Sequence, residues 1–444
     1  MRVSVTGCGY LGAVHAAAMT DLGHDVVGID VDADKIRLLG QGVAPFYEPG
    51  FEDLLTRALA TGRLRFTTDP TALAGAQVHF ITVGTPQAAG RYSADLRYVR
   101  AAVASIIERA QPAADQPALI VGKSTVPVGT AQVIADQAAA SGKRLITVWN
   151  PEFLREGFAV NDTLHPNRII YGLPPDERDA EVATGMLDAC YTAMLAEGTP
   201  RLLTNYPTAE LVKVAANSFL ATKISFINAM AELCMATDAD VTQLAQAIGY
   251  DDRIGPKFLR AGVGFGGGCL PKDIRAFMAR AGELGVDQAL TFLREVDAIN
   301  LRMRAHAVEM AEEICGGRFV GRKVAVLGAA FKPDSDDLRD SPAVDVASTI
   351  WSRGAEVAIV DPAAGAALRA KRPNLNVVDT VSEAVADADV VMLLTEWKQY
   401  VDLDPAQLRP LVRQATIIDG RNVLDPRRWT QAGWTYRGMG RLAG

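Results

Sequence analysis

One cysteine stands where its surroundings favour chemistry. Cys269 follows a stretch, residues 262–268, in which five of seven residues are glycine, and Lys272 and Asp273 come shortly after it. Glycine lets the backbone approach a ligand closely and take conformations closed to other residues. A nearby positive charge or a helix N-terminus would favour the thiolate form of the cysteine. The segment therefore predicts a nucleophilic thiol, and the alternative is a flexible glycine loop with an incidental cysteine.

A second motif lies near the N-terminus. Gly7-x-Gly9-x-x-Gly12 follows a predicted strand and opens a predicted helix, and Asp30 ends the next strand. The glycines allow a tight turn, close approach of a pyrophosphate to backbone N–H groups, and close helix–sheet packing. Asp30 would accept hydrogen bonds from ribose hydroxyls and repel a 2′-phosphate. The motif predicts NAD rather than NADP, while FAD and a glycine turn without a ligand remain alternatives.

Polar residues in three further segments are candidates for a site. Lys213 and Asn217 are four residues apart on a predicted helix, so they share one face, although a solvated face explains them equally well. Segments 123–130 and 150–156 follow predicted strands, where a doubly wound fold has its crevice. Cap and turn roles explain their Ser, Thr and Asn residues almost as well.

Strands and helices alternate over residues 1–203 and again over 318–444, which predicts two Rossmann-type, doubly wound parallel sheets in an α/β protein. Between them, residues 208–236 contain no Gly or Pro and keep helical apolar spacing. We expect a long helix there that connects domains, forms a dimer interface, or does both, within a helical domain of residues 204–317. The second sheet has a single glycine, Gly328, after its first strand, so a second dinucleotide site is not expected.

Composition narrows the classes of partner. The chain has 444 residues and a formal net charge of −7, with acidic and basic residues interleaved, so no basic surface for nucleic acid is expected. The five cysteines are scattered without metal-ligand spacing, which argues against a disulfide framework or a metal site. No export signal is visible, and the apolar β-rich runs are far shorter than the roughly 20 residues that span a bilayer. We expect a cytoplasmic protein without a membrane partner.

Ten segments together resemble the UDP-glucose 6-dehydrogenase family, within the wider nucleotide-sugar dehydrogenases. They run in family order from residue 6 to residue 423: TGCGYLG, FYEPGFEDLL, ITVGTP, KSTVPVGT, NPEFLREG, AELVKVAANSFLATKISFIN, DDRIGPKFL, GVGFGGGCLPKD, AAFKPDSDDLRDSP and DGRNV. Two departures are Gly268, where the family often has Ser, and Cys8 within the glycine turn. Neither removes a catalytic group, although Gly268 alters the hydrogen bonding available to the loop.

The resemblance implies NAD in the first domain, the UDP part of a sugar nucleotide on the last, and a homodimer through the long helix. Residues that would contact NAD are Gly7, Gly9, Tyr10, Leu11, Gly12, Asp30, Lys35, Thr85, Pro86, Ser124, Thr125, Glu156, Lys272 and Arg339. Residues that would hold the substrate are Glu152, Phe153, Leu154, Glu156, Lys213, Asn217, Arg253, Phe258, Arg260, Gly264, Phe265, Gly266, Phe331, Lys332 and Arg421. Arg253 would reach in from the partner subunit.

The reaction implied by the resemblance is oxidation of UDP-glucose to UDP-glucuronate through a thiohemiacetal and a thioester on Cys269. Lys213 and Asn217 would stabilise the oxyanions, and Glu152, with Thr125 and Asp273 ordering water, would be the base for hydrolysis. The alternatives are oxidation of another nucleotide sugar, such as a UDP-N-acetylaminosugar or GDP-mannose, and a catalytically silent sugar-nucleotide sensor. A two-electron hydroxyacid or phosphogluconate dehydrogenase would share the layout but would not need Cys269.

Overall fold

The computed structural model describes residues 1–113 and 116–442. Contacts between Cα atoms divide the chain into two units. The first unit contains Met1–Ala216 and Ala276–Gly285, and the second contains Asn217–Arg275 and Val286–Gly444. The three-domain division drawn from the sequence remains a proposal.

The first unit is built on an eight-stranded sheet flanked by helices. Its strands are β1 (Arg2–Thr6), β2 (Asp25–Ile29), β3 (Leu64–Thr67), β4 (Val78–Ile81), β5 (Ala118–Gly122), β6 (Leu145–Trp149), β7 (Ile169–Leu173) and β8 (Arg201–Asn205). Its helices are α1 (Tyr10–Asp21), α2 (Ala33–Gly40), α3 (Phe51–Ala60), α4 (Arg97–Arg109), α5 (Thr130–Ala140), α6 (Ala159–Leu164), α7 (Glu177–Cys190) and α8 (Thr192–Ala196), with a 3₁₀ turn at Pro70–Gly75.

The strand order of this sheet is β3-β2-β1-β4-β5-β6-β7-β8. Strands β4 and β5 are buried along their whole length, as expected when helices cover both faces of a sheet. The sheet is parallel except between β6 and β7, which pair in the antiparallel direction. Residues 150–168 connect these two strands and contain the six-residue helix α6.

The second unit contains a helical segment followed by a six-stranded parallel sheet in the order β11-β10-β9-β12-β13-β14. Its strands are β9 (Lys323–Leu327), β10 (Glu356–Val360), β11 (Asn376–Val377), β12 (Val390–Leu393), β13 (Thr416–Asp419) and β14 (Thr435–Gly438). The remaining helices of the chain are α9 (Tyr206–Thr237), α10 (Val241–Gly249), α11 (Leu270–Glu283), α12 (Phe292–Ile314), α13 (Pro342–Ser352), α14 (Gly365–Lys371), α15 (Val381–Val385), α16 (Lys398–Val401), α17 (Pro405–Leu408) and α18 (Pro426–Gln431), with a 3₁₀ turn at Asp287–Leu290. Two mostly parallel sheets with a long helix between them in the chain confirm the predicted fold class.

Helix α9 is the long helix predicted from the sequence, extended slightly at both ends to 32 residues. It begins where the Asn205 side chain accepts a hydrogen bond from the Thr208 N–H at 3.0 Å. By length and composition alone α9 qualifies as a possible membrane span, and 33% of its most apolar window is buried. Phe219, Phe226 and Leu233 are exposed on it at intervals of seven residues, which is the spacing of a helix–helix seam. The cytoplasmic location remains a prediction.

Candidate active site

The glycine turn after β1 keeps open space in front of its backbone. Gly7 has a φ of +97°, and a Cβ atom there would lie 2.7 Å from Val83. A Cβ atom on Gly12 would lie 1.9 Å from the Gly7 carbonyl oxygen, so the helix could not approach the strand. A Cβ atom on Gly9 would meet nothing within 4 Å. Two of the glycines are required by the protein's own packing, and Gly9 leaves room for a ligand, so the turn fits a dinucleotide.

Asp30 follows β2 and faces this turn. Its Oδ2 atom accepts the Cys8 N–H at 2.8 Å and pairs with the Lys35 ammonium at 3.0 Å, while Oδ1 accepts the Asp32 N–H at 3.0 Å. A carboxylate offers about four lone-pair sites, so these three partners leave capacity for a ribose hydroxyl. The arrangement fits the role predicted for Asp30, and Lys35 lies beside it.

Several other residues predicted to contact NAD follow the strands of this sheet, whereas Lys272 and Arg339, which carry the same prediction, belong to the second unit. The Thr85 hydroxyl donates to the Thr125 carbonyl at 2.7 Å, and the Ser124 hydroxyl donates to the Val83 carbonyl at 2.7 Å. The Tyr10 hydroxyl donates to the Glu48 carboxylate, and both accept the Gly157 N–H. These hydroxyl groups therefore fasten the loops together. Leu11 is half-buried in the first turn of α1, and Pro86 is exposed.

Glu152 lies just beyond β6 with both carboxylate oxygens engaged. Its Oε1 atom accepts the N–H groups of Phe153 at 2.6 Å and Leu154 at 2.8 Å, and its Oε2 atom is 3.4 Å from the Lys123 ammonium. The Glu152 side chain is 15% exposed, so it remains accessible. These contacts fix the carboxylate in one orientation beyond the carboxyl end of β6.

Phe153 lies between two cations of the first unit. The Arg168 guanidinium is 3.8 Å from the centre of its ring, and the Lys213 ammonium is 5.6 Å from it. The start of α9, which carries Lys213, is held by the buried carboxylate of Glu210, which accepts the N–H groups of Gly129 at 2.8 Å and Ala131 at 2.7 Å. Burial raises the pKa of Glu210 although these hydrogen bonds oppose the shift. Glu156 is half-buried in the loop after β6.

In the second unit, the glycine segment of residues 262–268 is a close-packed structure rather than a slack loop. Residues 261–267 are all buried. A Cβ atom on Gly266 would lie 2.2 Å from the Asp340 carbonyl oxygen, and one on Gly264 would lie 2.3 Å from the Asn300 side chain. The Asn300 side chain accepts the Phe265 N–H at 2.7 Å and donates to its carbonyl at 3.0 Å. The glycines therefore let neighbouring backbone hold this segment, and hence the residue that follows it.

Cys269 is the exposed cysteine at the end of this segment, whereas the other four are buried. Its carbonyl accepts the Asp273 N–H at 2.9 Å, so it stands at the N-terminus of α11. The partial positive charge at a helix N-terminus favours a thiolate there. By contrast, burial raises the pKa of Cys315 to about 11 and that of Cys190 to about 12. Position and exposure fit the role predicted for Cys269 and for none of the other four cysteines.

Two predicted catalytic residues meet beside this helix. The Asn217 amide donates to Asp273 Oδ2 at 2.6 Å, and both side chains are buried. The Lys272 ammonium pairs with Asp273 Oδ1 at 2.6 Å. The hydrogen bond fixes the orientation of the Asn217 amide, whose second N–H remains a possible donor to a ligand.

Arg421 lies almost entirely inside the second unit. Its guanidinium donates to the carbonyls of Leu394 at 2.7 Å, Gly264 at 2.9 Å and Phe331 at 3.1 Å. Burial lowers the pKa of Arg421, with Glu396 opposing the shift. These contacts tie the end of β12 to the glycine segment, so Arg421 has a structural role in addition to the predicted one.

Lys332 and Arg339 are two further predicted site cations, and both lie between β9 and α13 in the second unit. The Lys332 ammonium is 5.4 Å from the centre of the Phe331 ring. The Arg339 guanidinium pairs with Asp337 at 2.7 Å, and a Cβ atom on Gly268 would lie 2.2 Å from it. A side chain at position 268 would only require the flexible, 61% exposed end of the Arg339 side chain to move, so this contact does not require glycine at the departure from the family pattern.

The predicted substrate residues between α10 and the glycine segment are exposed to solvent. The Arg253 guanidinium is exposed and pairs with Asp251 at 2.6 Å. Phe258 has a φ of +64° and is 40% exposed, and Arg260 is 4.0 Å from Glu396. The predicted role of Arg253 in a partner's site remains a proposal.

Sequence patterns placed Lys123 in the candidate segment 123–130 without giving it a role, and they did not single out Glu210 or Asn300. The structure shows that they fix, respectively, Glu152, the start of α9 and Phe265. Lys123 offers the clearest signal, because a lysine directly after an entirely apolar strand is unusual in a buried position. The partners of Glu210 and Asn300 are distant in sequence, so local patterns could not reveal them.

Three family models match the chain in order. They describe the NAD binding domain, central domain and UDP binding domain of the UDP-glucose/GDP-mannose dehydrogenase family, over residues 1–192, 207–302 and 325–426. The first match confirms the prediction of NAD as cofactor. The last match supports the assignment of a UDP-sugar substrate to this class of protein.

Individual relatives match over almost the whole length. A UDP-glucose 6-dehydrogenase of Pseudomonas aeruginosa is 40% identical, covering 99% of this chain and 98% of the relative. One of Rhizobium meliloti is 38% identical, covering 99% and 100%. A UDP-glucose dehydrogenase structure from Pyrobaculum islandicum, 39% identical, superposes with a TM-score of 0.88 over 99% of this chain and 98% of that one. A UDP-D-ManNAc dehydrogenase structure from Pyrococcus horikoshii, 29% identical, gives 0.85 over 99% of both chains. The chain belongs to the UDP-glucose/GDP-mannose dehydrogenase family of nucleotide-sugar dehydrogenases.

Proposed function

We propose that the protein oxidises UDP-glucose to UDP-glucuronate and forms two NADH per sugar. The observation that carries this proposal is the exposed Cys269 thiol at the N-terminus of α11. A two-electron alcohol dehydrogenase has no need of such a nucleophile, whereas oxidation of an alcohol to an acid must retain an aldehyde between two steps. The relatives of 38% and 40% identity that are named UDP-glucose 6-dehydrogenases support this choice of sugar.

The chemistry proceeds on C6 of the sugar. Each oxidation removes one hydride from C6, for which bound NAD⁺ would be the acceptor, and the first oxidation also releases the hydroxyl proton of the alcohol. After the first oxidation, the Cys269 thiolate adds to the aldehyde carbon, a C–S bond forms, and the oxygen takes up a proton to give a thiohemiacetal. Loss of the second hydride from C6 and of the hydroxyl proton gives a thioester. Water then adds to the thioester carbon and the C–S bond breaks, releasing the acid and the thiol. Covalent capture splits a difficult sequence into easier steps.

The other side chains have roles that follow from their chemistry. The Lys213 ammonium and the Asn217 amide would donate to the oxygen on C6, where negative charge develops. The Glu152 carboxylate would take the proton from the attacking water, and Thr125 and Asp273 would order that water. Asp273 also orients Asn217 through their 2.6 Å hydrogen bond.

The stoichiometry of the reaction tests the proposal directly. With limiting UDP-glucose and excess NAD⁺, we expect two NADH per sugar and UDP-glucuronate as the product identified by mass spectrometry. One NADH with free aldehyde would contradict the covalent mechanism. A panel that includes UDP-N-acetylmannosamine and GDP-mannose identifies the substrate, and a higher kcat/KM for either would contradict the choice of UDP-glucose.

We also propose that the protein is a homodimer that pairs through α9. The exposed Phe219, Phe226 and Leu233 recur with the spacing of a helix–helix seam. Phe226→Glu should therefore convert dimers into monomers, as measured by light scattering, while the neighbouring charge change Glu232→Gln should not. A monomeric unaltered protein would contradict this assembly.

A further inference from the structure

Lys123 is a buried charge that the reaction sequence above does not use. Its side chain is 5% exposed at the end of β5. Its ammonium is 3.4 Å from Glu152 Oε2 and donates to Asn150 Oδ1 at 3.0 Å and to the Tyr191 hydroxyl at 3.4 Å. Burying an ammonium is costly unless it is paired and hydrogen-bonded. The position of Lys123 therefore calls for a partner, and Glu152 is the anion in contact with it.

The two oxygens of Glu152 are held by different kinds of donor. Oε1 accepts two backbone N–H groups of its own loop, and Oε2 faces the Lys123 ammonium. An adjacent cation favours the ionised form of a carboxylate, and hydrogen bonds to that form favour it further. A general base must be ionised and correctly placed before it can accept a proton.

Lys123 is the cation in contact with Glu152, and three other titratable groups lie around this pair. Burial lowers the pKa of Lys123, and Glu152 opposes this shift, while Lys213 adds to it. His15 on α1 has a pKa lowered by burial and then by Lys123, so its ring is neutral at pH 7. Burial raises the pKa of the Tyr191 hydroxyl, so it is neutral as well. The charges that face one another here are thus Lys123 and Glu152, with Lys213 beyond them.

We propose that Lys123 is a positioning residue for thioester hydrolysis: its buried ammonium, 3.4 Å from Oε2, holds the Glu152 carboxylate in one orientation as the base. This inference rests on the proposed function. The competing explanation is structural, since Lys123 also completes the hydrogen bonding of Asn150 and Tyr191 inside the first unit.

The step that Lys123→Met slows separates the two explanations. Without the ammonium beside Oε2, the Glu152 carboxylate can turn away from the water that it deprotonates, so thioester hydrolysis should slow by about tenfold or more while the two hydride transfers keep their rates. The acyl form of Cys269 should therefore accumulate during turnover. A purely structural role would slow the hydride transfers and the hydrolysis alike. The decay of the acyl group on Cys269, followed by rapid quenching and intact-mass spectrometry, measures the step itself.

Two variants guard against misfolding as an explanation. Lys123→Gln removes the charge but keeps a hydrogen-bonding side chain, and it should also slow hydrolysis selectively. Lys143→Met is the matched control, because the Lys143 ammonium donates to the carbonyls of Ile107, Glu108 and Ala110 rather than to Glu152. It should leave the hydrolysis step unchanged, and an equal slowing of that step in Lys143→Met would overturn the proposal.

A double-mutant cycle identifies the residue through which Lys123 acts. In a Glu152→Gln background, which should lose about 10²- to 10⁴-fold in hydrolysis, Lys123→Met should cause no additional loss. Additive losses would overturn the proposal. Failure of the unaltered protein to form two NADH per UDP-glucose would instead count against the proposed function, so the two failures are distinguishable.

Discussion

The turns after the first strands of the two sheets, β1 and β9, begin alike and end differently. Gly7 and Gly328 both have a φ near +100°, and a Cβ atom on either would collide with the neighbouring strand end, at Val83 or at Thr395. Two residues later the first turn has Gly9, with open space in front of it, whereas the second has the fully buried methyl group of Ala330. The same fold thus provides one turn that admits a ligand and one that is filled.

The acidic residues after the second strands differ in the same sense. Among the described residues, Asp30 has three hydrogen-bonded partners, whereas Asp361 accepts the N–H groups of four alanines and the Trp397 indole. Five donors saturate a carboxylate that offers about four lone-pair sites. An acid at the end of the second strand is therefore a sign of nucleotide binding only when its oxygens are not already used.

The largest expected effect concerns the thiol that the second unit supplies. Cys269→Ala should reduce turnover by about three orders of magnitude or more, because no other group can hold the C6 carbonyl covalently. Cys315→Ala is the matched control, since burial raises the pKa of that thiol to about 11, and it should keep its turnover. Cys269→Ser incubated with UDP-glucose and NAD⁺ should carry a sugar-nucleotide ester detectable by mass spectrometry. Near-normal turnover by Cys269→Ala would refute the covalent mechanism.

The filled turn should behave as a structural element. Asp361→Ala leaves buried N–H groups without acceptors, so the free energy of unfolding should fall by about 3 kcal/mol in a denaturant titration. The KM for NAD⁺ of the folded protein should not change. Loss of NAD⁺ affinity with unchanged stability would mean that the second turn also serves a dinucleotide.

For the turn after β1, which has open space at Gly9, we expect the opposite result: a substitution should weaken cofactor binding with little effect on stability. Asp30→Ala removes an acceptor for the ribose hydroxyls, so the KM for NAD⁺ should rise about tenfold, the effect of about 1.4 kcal/mol. The preference for NAD⁺ over NADP⁺ should narrow, because repulsion of the 2′-phosphate is lost. Stability should change by less than about 1 kcal/mol. Equal use of both cofactors by the unaltered protein would contradict the role of Asp30.

The smallest expected effect concerns how the free energy of unfolding of the first unit depends on pH. Burial lowers the pKa of His79 in the first unit to about 4, below its ordinary value of 6.5. The unfolded chain then binds more protons, so the stability contribution is complete above about pH 6.5 and is lost as the pH falls toward 4. Between about pH 7.5 and 5.5, His79 should account for about 1 kcal/mol of lost unfolding free energy. His79→Gln should reduce this slope, and His306→Gln, in the second unit, should leave it unchanged.

The sequence predicted those parts of the molecule that depend on local patterns. Periodicity located the sheets and α9, and the turn chemistry located Gly7 and Asp30. Periodicity gives little signal for β8, which is an exposed edge strand without alternating burial, or for β11, which has only two residues.

Motifs drew attention to Cys269 and Glu152 as candidates but did not reveal which residues hold Glu152 or the glycine segment. Lys123 is 29 residues from Glu152 (152 − 123 = 29), and Asn300 is 35 residues from Phe265. Such pairs form only when packing brings distant elements together, and a single sequence carries little information about that packing.

The glycine segment before Cys269 also has a consequence for mutational scans. Substitution of Gly264 or Gly266 should be damaging even if neither residue touches a substrate, because Asn300 and the Asp340 carbonyl occupy the space that a side chain needs. A map of tolerated substitutions would therefore mark this segment as an unbroken intolerant block. Cys269 follows this segment and is exposed, so a loss of activity there would indicate a role in the reaction. Intolerance at the neighbouring glycines would instead indicate that the segment must stay rigid to hold Cys269 in place.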